Sequence, residues 1–232
     1  MIGLLGAEPL IRWSWIGDHL GQIRTQVAQH VELTVIAIVI GCAISFPLAL
    51  LAHRKRWTYA PITWVAGLLY TIPSLSLFVI LLPITGISVT TVEIGLVSYT
   101  LLILIRNMVA GLALVPEDVK EAARGMGYSS GQMLWRVELP LALPVIIAGI
   151  RIATISTIAL VTVGALVGKG GVGQFILEGL RTLFQTEIVL GAVLSAVLAL
   201  AADALLSLLQ RRLTPWSHGS AHRGNEGNVE AA

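Results

Sequence analysis

Five runs of about twenty predominantly apolar residues, each bounded by charges or turn residues, constrain this chain more than any other feature. They cover about Leu33–Ala52, Ala60–Leu82 with Pro73 inside it, Ile87–Ala110, Ala142–Val167 and Ile188–Leu209. An α-helix needs roughly 20 apolar residues to cross a hydrocarbon core about 30 Å thick. A soluble domain carries roughly 25% charged residues, whereas here 12% of 232 residues are charged and 56% are hydrophobic, with mean hydropathy +0.84. None of the runs alternates as barrel strands do, and helices and closed barrels are the only backbone solutions in lipid. The expected fold class is an all-α polytopic membrane protein with five transmembrane helices.

Basic residues in short loops mark the cytoplasmic side. His53-Arg54-Lys55-Arg56 follow the first run, and the loop from Pro83 to Gly86 after the second is uncharged. Alternation then puts Lys120, Arg124, Arg136, Arg211 and Arg212 inside, with the N-terminus outside and the C-terminus cytoplasmic. Lys169 and Arg181 depart from the pattern, in an outer loop shared with Glu178 and Glu187. The first 30 residues lack the basic start and early apolar core of a cleavable signal peptide, and residues 1–26 read as an outer N-terminal segment. Their Trp13, Trp15, Ile16, Leu20 and Ile23 read as a helix lying on the outer interface. Residues 27–212 then form the membrane domain, and 213–232, with Gly219, Gly224 and Gly227, read as a disordered cytoplasmic tail.

A formal charge of +2 gives no reason to expect a nucleic-acid partner, and the single Cys42 can form neither an intrachain disulfide nor a cysteine metal cluster. His19, His30, His53, His218 and His222 are too scattered for a metal or catalytic constellation.

The segment from Val115 to Leu141, between the third and fourth runs, is long for a connection and has structure of its own. Pro116 suits a first helical turn, and Glu117 and Asp118 suit the positive end of the helix dipole. Glu117 with Lys120 and Glu121 with Arg124 are i,i+3 pairs. Gly125 and Gly127 end that helix. Ser129 with Gln132 makes a capping box for a second short helix, which Pro140 is expected to stop. Ala122 and Ala123 give a small-residue patch, and Met133, Leu134 and Val137 an apolar side. The pair reads as a docking surface beneath the membrane, against the plainer alternative of a solvated amphipathic loop.

Glu121-Ala122-Ala123, then Gly127, then Val137-Glu138-Leu139-Pro140 resemble the Glu-Ala-Ala-x3-Gly-x9-Ile-x-Leu-Pro motif of permeases in binding-protein-dependent ABC importers, with Val137 in place of Ile. The resemblance implies that Glu121, Ala122, Ala123, Gly127, Val137, Leu139 and Pro140 couple the chain to a cytoplasmic ABC ATPase dimer, and the five-span arrangement is similar to the methionine-importer-like permease core. Tyr70-Thr71-Ile72-Pro73-Ser74 and the segments around Gly127 and Pro140 are similar to osmoprotectant permeases. Glycine betaine, carnitine or choline is the solute class this implies, imported across the bacterial cytoplasmic membrane. An amino-acid importer is the alternative within the superfamily, and an ion-coupled secondary transporter the one outside it. The implied partners are a second permease, identical or related, and an external solute-binding protein.

No G-x-x-x-x-G-K-[ST] occurs, so no cofactor is expected in this chain and ATP belongs to the partner. Gly168-Lys169-Gly170-Gly171-Val172-Gly173 fits G-x-G-x-x-G, but it follows an apolar span instead of a strand and reads as a tight turn. Ionisable residues within spans are costly and often functional, which singles out Glu93, Arg106, Arg151 and Asp203. Arg151 and Asp203 lie at similar depth and are a candidate ion pair. Tyr70, Pro73, Ser74 and Tyr99 are candidates for lining the path. The span aromatics Trp64, Tyr70, Phe78 and Tyr99 make no dense cage for a quaternary ammonium ion, and core packing competes as the role of each.

Overall fold

The computed structural model describes residues 10–218, and these residues form helices joined by short turns. The sequence puts Trp13–Asp18 in a short α1, Leu20–Arg54 in α2, Arg56–Thr71 in α3, Ser74–Thr85 in α4 and Val89–Ala113 in α5. Then come α6 (Glu117–Gly125), α7 (Ser130–Met133), a π-helical turn (Leu134–Glu138), α8 (Leu139–Val163), α9 (Gly173–Thr182) and α10 (Gln185–Leu213). Four helices are long and apolar enough to cross a membrane: α2, α5, the continuous helix from 130 to 167, and α10. The pair α3 and α4 makes a fifth if it counts as one span.

That pair is bent by 93°. Ile72 and Pro73 are extended at the bend, because proline disfavours the helical conformation in the residue before it and supplies no amide hydrogen. At roughly 18 Å, the twelve residues of α4 are too short to cross alone. The second apolar run is thus two inclined helices instead of one rod.

Helices α2, α5 and α8 form the centre. Toward the α2 N-terminus, Leu33, Ala37, Phe78, Val92, Leu96 and Val161 interlock. Toward its C-terminus, Ala49, Leu104, Met108, Leu112, Ala142 and Ile146 do so. Helix α10 lies outermost, with only 6% of its apolar window buried inside the chain.

Two boundaries differ from the sequence reading. Helix α2 begins at Leu20 and runs 35 residues without a break, about 52 Å, so the division at residues 26 and 27 falls inside it. Trp13, Trp15 and Ile16 lie in α1, whereas Leu20 and Ile23 belong to α2 itself. Trp15 packs edge-on against Phe175 and Phe184, and the Arg12 backbone N–H donates to Thr186 Oγ1 at 3.0 Å. The N-terminal segment is therefore tied to α9 and α10. Of the expected tail, residues 219–232 lie outside the described residues; before them α10 continues to Leu213, and a 3₁₀ turn spans Pro215–His218.

The glycine-rich turn after residue 167 packs against α2. At Gly171, φ is +51°, and a Cβ there would sit 2.5 Å from His30 Cβ and 2.7 Å from His30 Cα. Its N–H donates to Gln29 Oε1 at 3.2 Å. Glycine is required here by close packing and by a left-handed backbone.

Candidate functional site

The segment between α5 and α8 folds as a tip and a stem. In α6, Glu117 receives Arg124 at 2.8 Å and Lys120 at 3.4 Å. The hydrogen bond from Arg124, above all, holds the Glu117 carboxyl below the usual carboxylate range. This corrects one expected pair: Arg124 reaches back two turns to Glu117 instead of one turn to Glu121, because its long side chain there joins Lys120 on a shared carboxylate. Glu121 is left exposed. The small-residue patch divides likewise, with Ala122 exposed and Ala123 buried within the chain.

Gly127 turns the chain at φ +82°, its N–H donating to Arg124 O at 2.9 Å while Tyr128 N–H donates to Ala123 O at 3.2 Å. The Ser129 backbone N–H then donates to Gln132 Oε1 at 2.9 Å, and Gln132 N–H returns a bond to Ser129 Oγ at 3.4 Å. That is the reciprocal capping box read from the sequence. Its exposed surroundings are Glu121, Ala122, Met126 and Gly127.

Pro140 does not stop the second helix. Between Leu134 and Glu138 the backbone widens to a π turn, in which Leu139 N–H donates to Leu134 O. The wider turn accommodates a proline that cannot donate and whose ring would crowd the carbonyl four residues back. Helix α8 follows directly, with Pro140 in its first turn. Met133 and Leu134 are buried, Leu134 within the α2–α5–α8 core. They face this chain's own interior, and Trp135, 65% exposed and 6.2 Å from Phe46, takes the outward position. Val137, Leu139 and Pro140 are half-buried in the stem, so the seven motif residues do not form one patch.

Arg151 of α8 meets Asp203 of α10, with Nη2 at 2.7 Å and Nε at 2.9 Å from the same Oδ1. Arg151 Nη1 also donates to Gln210 Oε1 at 3.3 Å, and Gln210 Nε2 donates to Pro144 O at 3.1 Å. Gln210 escaped the sequence reading. Its signal was the seven-residue spacing from Asp203, which puts both on one face of α10.

Tyr70 and Tyr99 meet edge to face, centroids 5.6 Å apart. They line a recess of about 340 Å³ with Thr100, Ser156 and Thr157. Tyr99 OH donates to Ile72 O at the bend, which gives a partner to a carbonyl outside any helix. Pro73 and Ser74 form the bend and the start of α4 and do not line this recess. Glu93 is 8% exposed, and neither carboxylate oxygen has a hydrogen-bond partner among the described residues. Arg106 borders an adjoining cavity of about 570 Å³ that also includes Trp64 and Tyr70.

The two ends of the bundle differ in charge. His53 is within electrostatic range of both Lys120 and Glu138, so the basic segment after α2 and the α6 segment lie at one end. At the other, a polar recess of about 460 Å³ is lined by Gln22, Gln26, Gln29, Lys169, Glu178 and Glu187.

Comparison with known proteins gives this geometry a family. The chain is 36% identical over 203 residues to the osmoprotectant import permease protein OsmW of Salmonella typhimurium, covering 85% of this chain and 94% of that protein. It is 32% identical to the choline transport system permease protein OpuBB of Bacillus subtilis, covering 84% and 90%, and 34% identical to the carnitine transport permease protein OpuCB of Listeria monocytogenes, covering 88% and 94%. Among solved structures, an inward-facing MetNI methionine ABC transporter superposes with a TM-score of 0.75 at 21% identity, over 85% of this chain and 98% of that one. The model of binding-protein-dependent transport system inner membrane components matches residues 34–216. The chain belongs to this family: it is a multi-pass inner-membrane permease, a transport subunit and not an enzyme.

Proposed function

We propose that this chain is the permease of an ABC importer for osmoprotectants of the quaternary ammonium class, such as glycine betaine, carnitine or choline. The observation that carries the solute class is identity of 31–36% over more than four-fifths of the chain to permeases named for those solutes. The chain crosses the membrane five times, counting α3 and α4 as one span, with the N-terminus outside and the C-terminus cytoplasmic. Support for this orientation comes from the basic end that holds His53, Arg54, Lys55 and Arg56 together with the α6 segment.

Two copies, or this chain and a related permease, enclose the path, with Tyr70 and Tyr99 on its wall. An external binding protein delivers the solute. Two cytoplasmic ATPase subunits hydrolyse ATP and contact the exposed tip at Glu121, Ala122 and Gly127, and the stem at Val137, Leu139 and Pro140 transmits their closure to α8. The Arg151–Asp203 pair joins α8 to α10, so that the two helices move together.

Reconstitution tests this reading. Alone in liposomes, the chain is expected to accumulate no labelled glycine betaine or choline under any imposed proton or sodium gradient. With the ATPase, internal ATP and a loaded binding protein, accumulation starts. Glu121→Lys and Gly127→Asp abolish it and leave membrane insertion intact, because both residues are exposed at the tip and neither is in a span. Gradient-driven uptake by the chain alone, or normal transport by either variant, refutes the assignment.

A further inference from the structure

We propose that the Tyr70–Tyr99 recess is a transient solute site inside the permease, holding the trimethylammonium group on its aromatic faces, with the Arg106 guanidinium taking the carboxylate of zwitterionic solutes. The proposal rests on the osmoprotectant reading and assigns the site within it.

The sequence alone left these aromatics separate. The fold brings Tyr70 from the end of α3 and Tyr99 from the middle of α5 into edge-to-face contact at 5.6 Å and 61°. Tyr99 is fixed, being buried and hydrogen-bonded through its hydroxyl to Ile72 O at the bend. Tyr70 is open, with 43% of its surface exposed. A quaternary ammonium ion has no N–H to donate, so its recognition depends on the negative faces of aromatic rings and on shape.

The rest of the recess suits such a guest. It carries no formal charge, and its hydroxyls belong to Thr100, Ser156 and Thr157. Thr100 and Thr157 donate to Val97 O and Ala153 O in their own helices, which leaves their oxygen lone pairs as the polar lining. Two rings are fewer than a tight cage requires. Weak retention is what a path needs, since a solute held strongly would not leave.

Tyr70 also borders the adjoining cavity that includes Arg106. Arg106 lies seven residues after Tyr99, two turns along the same face of α5 and about 10 Å away along the axis. Its guanidinium makes no hydrogen bond or ion pair among the described residues. A long, unpaired cation on the face that bears the aromatic pair can meet a carboxylate whose ammonium end rests on Tyr70. Choline, which has no carboxylate, would use the aromatic half alone.

The test uses the permease–ATPase complex in nanodiscs without binding protein, and saturation-transfer NMR on the N-methyl protons of choline and glycine betaine. Choline is expected to bind with an affinity that falls roughly tenfold in Tyr70→Leu and survives in Tyr70→Phe, which keeps the ring. The uncharged isostere 3,3-dimethylbutanol is expected to bind the wild type roughly tenfold more weakly than choline. Arg106→Gln weakens glycine betaine severalfold and leaves choline unchanged. Choline binding that Tyr70→Leu does not alter, or equal binding of the isostere, overturns the site. So does an Arg106→Gln variant that treats both solutes alike. Uptake by the reconstituted wild type reports on solute class independently. A complex that accumulates choline yet shows no Tyr70-dependent binding refutes this site and leaves the osmoprotectant reading standing.

Discussion

Replacing Asp203 by Leu strands the Arg151 guanidinium between α8 and α10, and replacing Arg151 by Leu strands the carboxylate. Two nitrogens of Arg151 approach one oxygen of Asp203 at 2.7 and 2.9 Å. The two side chains are 28% and 35% exposed, so the pair is largely covered by the chain itself. Breaking a buried pair costs roughly 3–5 kcal/mol. Gln210 keeps one bond to Arg151 at 3.3 Å, and a long side chain can relax toward the interface, so each single variant should lose about 2 kcal/mol. The double Leu variant replaces the pair with apolar contact, which is often neutral. It should lose about 1 kcal/mol, a coupling of about 3 kcal/mol. At roughly 2–4 °C per kcal/mol for a chain of this size, thermal unfolding in nanodiscs should show each single variant melting about 4–8 °C early and the double variant about 2–4 °C early. Losses that simply add would refute a direct interaction.

Gly171→Ala forces a Cβ against the His30 backbone and a non-glycine residue to φ +51°; overpacking and left-handed strain together should cost about 2–5 kcal/mol, visible as an early melt and poor expression. Ser129→Ala removes one half of the capping box and should cost about 1 kcal/mol locally. Amide exchange at Gln132 should then speed up about fivefold, with global melting little changed.

What the sequence shows well is whatever one segment decides by itself. Four of the five apolar runs lie in helices long and apolar enough to cross a membrane, as each run suggests without its neighbours, whereas the second breaks at Pro73 into a pair bent by 93°. The Ser129–Gln132 box and the glycine-rich turn are local chemistry, and both stand where the residues place them. What stays hidden depends on facing surfaces. Gln22, Gln26 and Gln29 look like exposed polar residues, yet they continue α2 and line a recess opposite Glu178 and Glu187, so the helix starts earlier than hydropathy suggests. Met133 and Leu134 show an apolar side, but only the position of α2 and α5 decides that this side faces inward. Arg124 has two acidic partners within reach, and side-chain length with a shared Lys120 decides for Glu117. A proline after a helix usually ends it. The π turn that carries the chain past Pro140 has no marker in the letters themselves.

That π turn alters how force would travel in the proposed transport cycle. Had Pro140 ended the second short helix, the ATPase-facing segment would hang from α8 by a hinge, and motion at the tip could dissipate there. Instead residues 130–167 run as one helix of 38 residues, about 57 Å long. Its one wide turn lies between Leu134, anchored in the core, and Pro140. A displacement of Ser130, the first residue of that helix, therefore either opens that turn, whose ladder is already loosened, or moves α8 as a body. If α8 moves, Arg151 carries Asp203 with it, and α10, which has little other burial in this chain, follows. The ion pair and the π turn thus divide the work: the turn sets how much of the push reaches the span, and the pair sets how many helices respond.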